Sequence, residues 1–123
     1  MDLTTALTLL NGEIVSRRPD LEQVVSEGSA ADLMSDVLTY SSPGSLLLTG
    51  LTNPQVVRTA EMAGIRAIVF VRGKHPPAAT IDLAEETGIL LLRTCCTMYE
   101  ACGRLYAGGL RGRGPCESYG PPE

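Results

Sequence analysis

A chain of 123 residues, 44% hydrophobic and 20% charged, has the size and composition of one globular domain. Its formal charge of −4 and its single lysine, Lys74, exclude the clustered basic face that phosphate-backbone binding needs, so no nucleic-acid partner is expected. Aromatics make up 4%, with Phe70 the sole Phe and no Trp, which points to an aliphatic core between a sheet and covering helices.

Leu3, Ala6, Leu7 and Leu10 follow helical spacing behind an Asp2 cap, and Asn11-Gly12 stops that helix. A short strand, Glu13–Ser16, is predicted next, then turn chemistry at Arg17-Arg18-Pro19-Asp20 and a second strand over Gln23–Ser26. Ser29-Ala30-Ala31-Asp32 reads as a capping box with Asp in place of Glu, opening a helix whose apolar face is Leu33, Met34, Val37 and Leu38. Ser45–Thr49 is a continuous apolar strand, and after Gly50-Leu51-Thr52 comes Asn53 as N-cap with Pro54 in the first helical position. Gly64 ends that helix and Ile65–Val71 is a second apolar strand. The Arg72–Pro77 loop leads to a helix over Ala78–Thr87, a Gly88 stop and a third strand, Ile89–Leu92.

The run Thr59–Ile65 echoes Leu83–Ile89 in helix end, glycine stop and strand entry, which marks a repeated β-α unit. Thr97-Met98-Tyr99-Glu100 is a further capping box, and Met98, Ala101, Cys102 and Leu105 share one face of the last helix. The domain is expected to span residues 1–108, with 109–123 a flexible Gly/Pro-rich tail ending in Gly120-Pro121-Pro122-Glu123. Doubly buried strands joined by helices imply an α/β domain, layered, with a mostly parallel central sheet flanked by helices. No apolar run approaches the ~18 to 20 residues of a bilayer span. No secretory signal pattern opens the chain, so a cytoplasmic location without membrane contact is expected.

In such sheets the loops at the carboxyl ends of the strands form the default ligand edge. Thr49, Gly50, Thr52 and Asn53 put backbone N–H groups and hydroxyls at a helix start, a pattern suited to phosphate or carboxylate but also to an ordinary cap. Arg72, Gly73 and Lys74, with the single His75, belong to the next loop, and Thr94 and Thr97 to the one after. Asp32 and Asp36 read as acids complementing a helix dipole rather than as a catalytic pair. Cys95, Cys96, Cys102 and Cys116 lack metal-ligand spacing and read as small buried hydrophobes, with a thiol-based redox or metal protein as an alternative. No nucleophile with its base, no metal site and no nucleotide loop is legible, so no catalysis and no cofactor are expected.

At Asp32–Leu38, Leu46–Gly50, Ile68–Gly73 and Thr97–Leu105 the chain resembles the DRTGG domain family, over roughly residues 1–110. Where that family carries Gly-Asp-Arg this chain has Gly50-Leu51-Thr52, and where it carries Thr-Gly-Gly this chain has Val71-Arg72-Gly73. The resemblance implies a stand-alone regulatory or dimerising module, as found beside CBS domains and in anaerobes, and a link to redox enzymes such as iron hydrogenases. The expected function is thus a homodimeric, non-catalytic module that docks on or regulates a larger enzyme, with a sensor of a small anionic ligand or nucleotide as the alternative.

Overall fold

The computed structural model describes residues 1–114. Five strands and five helices follow one another along it: α1 (Leu3–Leu10), β1 (Glu13–Ile14), β2 (Gly28–Ala30), α2 (Met34–Tyr40), β3 (Leu46–Thr49), α3 (Pro54–Ala63), β4 (Ala67–Phe70), α4 (Ala78–Thr87), β5 (Leu90–Arg93) and α5 (Met98–Ala107). The strands form one sheet in the order β1-β5-β4-β3-β2. Pairing from β2 through β5 is parallel, and only β1 runs antiparallel, against β5.

Period-2 alternation splits the apolar strands between two cores. Leu46, Leu48, Ala67, Val69, Leu90 and Leu92 face α1 and α5, packing on Leu3, Ala6, Leu10, Ala101 and Leu105. Leu47, Ile68, Phe70 and Leu91 face Val37 of α2, Val56, Val57 and Ala60 of α3, and Ala84 of α4. Strands β2 to β5 are added in one direction, so crossovers of constant hand carry α2, α3 and α4 to the same face. The result is three layers, helix, sheet and helix, as the apolar strands require.

Several local expectations hold. Asp2 caps α1 by accepting from the Thr5 amide at 2.8 Å, and Thr97 caps α5 by accepting from Glu100. Gly64 and Gly88 both end their helices in the left-handed region, at φ 74° and 76°, which explains the internal echo. Their surroundings differ: a Cβ at Gly64 would press on Pro43, with the Pro43 Cα 3.2 Å away, whereas one at Gly88 would meet nothing within 4 Å. Gly88→Ala should therefore cost about 1 kcal/mol from backbone strain alone, and Gly64→Ala about 2 kcal/mol. Urea midpoints of the two variants check this ordering.

Four expectations are corrected. The strand predicted over Gln23–Ser26 is displaced: Val24 makes one isolated bridge to Asp2, and the paired strand is Gly28–Ala30. The Ser29 capping box does not form, because Ser29 lies in that strand and its hydroxyl meets the Ser41 hydroxyl at 3.0 Å; α2 starts later, at Met34, without a side-chain cap. The strand expected over Glu13–Ser16 shortens to Glu13–Ile14, although Val15 and Ser16 still donate backbone hydrogen bonds to the Leu91 carbonyl. Finally, packed structure continues past residue 108. Leu110 is buried, the Arg111 carbonyl accepts from the Gly28 amide at 2.9 Å, and the Arg113 guanidinium donates to the Thr39 carbonyl. The rest of the expected tail, from residue 115 and including Cys116, lies outside the described residues.

Candidate functional site

Because β2, β3, β4 and β5 are parallel, their carboxyl ends bring the loops 31–33, 50–53, 71–77 and 94–97 to one edge. Ligands of open α/β sheets bind where neighbouring loops leave toward opposite faces. Here that point lies between β4, whose loop goes to α4, and β5, whose loop goes to α5 on the other face. It is stitched shut: Arg72 N–H donates to the Cys96 carbonyl and Gly73 N–H to the Thr94 carbonyl, each at 2.8 Å. Polar side chains gather instead one strand over, around Gly50.

The centre of that cluster is Asp32. Its Oδ1 accepts from the Gly50 amide at 2.8 Å and from the Thr49 hydroxyl at 3.0 Å, and the Thr49 Oγ1 accepts in turn from Leu51 N–H at 3.2 Å. The Lys74 ammonium donates to the Gly50 carbonyl at 2.9 Å. The Arg72 guanidinium lies over Gly50 so closely that a Cβ there would overlap it. Arg72 itself has φ 61°, a left-handed conformation that is uncommon for a residue with a side chain. The Gly50 amide holds the Asp32 carboxyl below its usual range, helped by the Thr49 hydroxyl and by the positive charges of Arg72 and Lys74; partial burial opposes this.

Of the residues singled out in the sequence, Thr49, Gly50, Arg72 and Lys74 therefore converge. Thr52 adjoins them, and its carbonyl accepts from the buried Thr80 hydroxyl at 2.7 Å. Asn53 is the exposed N-cap residue of α3 and makes no side-chain capping bond. The Gly73 carbonyl accepts from Arg93, whose guanidinium is also paired with Glu13 at 2.8 Å. Thr94 is buried and donates to the Leu10 carbonyl at 2.7 Å, and the Thr97 hydroxyl caps α5. From its sequence position alone, Asp32 reads as an acid complementing a helix dipole. Its partners stand 17 and 18 residues away, and no local pattern announces that contact.

A second feature lies on the opposite side of the sheet. Between α5 and the β2 edge opens an apolar cleft of about 180 Å3, lined by Ala30, Leu48, Cys102, Leu105, Tyr106 and Leu110 among others. It continues onto the outer face of α5, where Tyr99 is 89% and Tyr106 54% exposed. Arg111 lies over the Tyr106 ring, 4.2 Å from its centroid. Burial in this region raises the Cys102 thiol above its ordinary pKa, while Cys95 is exposed and Cys96 half-buried. Among the described residues no group of three His, Cys, Asp or Glu side chains is placed to share a metal ion, and no helix is long and apolar enough to cross a membrane.

No family model matches the sequence, and no curated protein is significantly similar to it. The fold is similar to a crystal structure of the CBS and DRTGG domains from the regulatory region of a Clostridium perfringens pyrophosphatase, complexed with its activator, diadenosine tetraphosphate. The TM-score is 0.66 at 16% identity, over 85% of this chain and 45% of that one. The chain thus has a DRTGG-like α/β fold, and it spans less than half the length of that structure.

Proposed function

We propose that this domain is a non-catalytic regulatory module that acts by docking, first on a second copy of itself and through that pairing on a larger enzyme. The observation that carries this reading is the apolar cleft beside α5, continuous with the exposed faces of Tyr99 and Tyr106. Tyrosine pairs a large apolar body with a hydroxyl that tolerates water, and it is enriched at interfaces for that reason. The DRTGG-like fold supports the reading, since in its structural neighbour such a domain belongs to the regulatory region of an enzyme. A redox enzyme is the partner that the family resemblance implies.

The wild-type chain is expected to run as a dimer in light scattering, and Tyr99→Ala with Tyr106→Ala is expected to shift it to monomer with an unchanged circular dichroism spectrum. A wild-type chain that stays monomeric at the highest attainable concentration would overturn the reading.

A second reading is favoured by the Arg72 and Lys74 cations gathered at Gly50. It takes the strand-end edge as the site of a small anionic ligand, a nucleotide or acyl phosphate. The activator bound by the pyrophosphatase regulatory region belongs to the same class of anion.

A further inference from the structure

We infer that Asp32 is a built-in competitor at the strand-end edge: its carboxylate occupies the seat that an oxyanion of a ligand, phosphoryl or carboxylate, would take. The inference rests on the second of the two readings above, the anionic ligand, and says how that site is controlled.

The donors around Asp32 Oδ1 are those that proteins aim at phosphate oxygens. They comprise the backbone N–H of Gly50 at the end of a strand, the hydroxyl of Thr49, and the nearby ammonium and guanidinium groups of Lys74 and Arg72. Lys74 makes one hydrogen bond here, to the Gly50 carbonyl, and an ammonium has three N–H groups, so two remain for a ligand. Arg72 reaches Gly50 from a left-handed backbone conformation that is unfavourable for a residue with a side chain. Such strain persists where a site demands a particular side-chain direction. Gly50 has no side chain to fill the space that the guanidinium covers.

Asp32 is suited to leave. It is exposed, and it stands in the three-residue connection between β2 and α2, a helix that starts at Met34 behind Leu33, an N-cap residue without a side-chain capping bond. Both of its bonds are accepted by one oxygen, so a phosphoryl oxygen can replace them one for one. The exchange has a structural consequence. Freed from Gly50, the connection loses its side-chain tie just before α2, where Leu33 is exposed, as are Leu38 and Tyr40 further along the helix. An anion at this edge would therefore be reported on the α2 surface.

Inorganic diphosphate is the probe, titrated calorimetrically at fixed ionic strength into wild type, Asp32→Ala, Asp32→Asn and the double variant Asp32→Ala/Lys74→Ala. Asp32→Ala is expected to bind about tenfold more tightly than wild type, because one opposing charge and one competing acceptor are gone. Asp32→Asn should fall between them, since it keeps the competing oxygen and loses the charge. The double variant should return to wild-type affinity or below. If wild type binds diphosphate and neither Asp32 variant binds more tightly, the competitor role is overturned while the anion site stands. If none of the four binds, both the role and the site fall. Should Asp32→Ala fail to fold, Asp32→Asn decides alone: tighter binding supports the role, and equal or weaker binding overturns it.

Discussion

Phe70→Ala is expected to remove about 3 to 5 kcal/mol of stability, a large part of the roughly 5 to 15 kcal/mol typical of such domains. Phe70 is fully buried on β4, which has β3 on one side and β5 on the other, and it belongs to the core beneath α2, α3 and α4. The loss is large for two reasons. Phe70 is the only Phe in the chain, so its ring is the bulkiest single volume in an otherwise aliphatic core. Its helical neighbours in that core, Val56 and Val57, are β-branched and hold one rotamer, so they cannot swing in to fill a cavity. Phe70→Leu keeps most of the volume and should cost about 1 to 2 kcal/mol. Urea unfolding with unchanged slope measures both. A Phe70→Ala midpoint close to wild type would mean that the two helical layers close over the gap, contrary to the packing described above.

The same residue shows why the sheet was legible in the sequence. Ala67–Phe70, Leu46–Thr49 and Leu90–Arg93 come from short apolar runs that begin soon after a turn or a glycine helix stop. Strands buried on both faces can have no other pattern. Helix α4 falls at Ala78–Thr87, where the sequence places it, because Pro77 and Gly88 bracket it on both sides. The edges of the sheet were less legible. Gly28-Ser29-Ala30 has neither an apolar run nor a β-branched residue; its place is set by backbone pairing with Leu46–Leu48, a long-range condition. Gln23–Val25 has the composition of a strand, but Val24 is exposed and makes only its single bridge.

Leu110 reads in the sequence as part of a tail, because a lone hydrophobe among glycines carries no period. It is buried because Gly109, at φ 108°, turns the chain back across the β2 edge. The candidate site divides the same way. Thr49, Gly50, Arg72 and Lys74 were legible because strand ends are legible once parallel pairing is inferred. Asp32 was not, because its role depends on which loop the fold lays beside its own. The contact explains what the cluster is: one acid held by the Gly50 amide and the Thr49 hydroxyl beside two cations, a group that keeps an excess of positive charge.

Thr94→Val is expected to cost about 2 to 4 kcal/mol, although it keeps the shape and the β-branch of the residue it replaces. The Thr94 hydroxyl is buried and works in both directions: it donates to the Leu10 carbonyl at 2.7 Å and accepts from the Cys96 amide at 3.2 Å. One side chain thus joins the end of α1, the end of β5 and the loop into α5. Valine fills the same space and leaves a carbonyl and an amide short of a partner, each worth about 1 to 3 kcal/mol when desolvated. The Cys96 thiol, 3.7 Å from the Leu10 carbonyl, is a weak donor and recovers little of this. Thr94→Ser makes the opposite change, keeping the hydroxyl and losing a methyl group, and should cost about 1 kcal/mol. Serine closer to wild type than valine is therefore the signature of a hydroxyl that holds the fold together. The reverse order, measured by urea midpoints, would mean that the methyl group matters more than the hydroxyl.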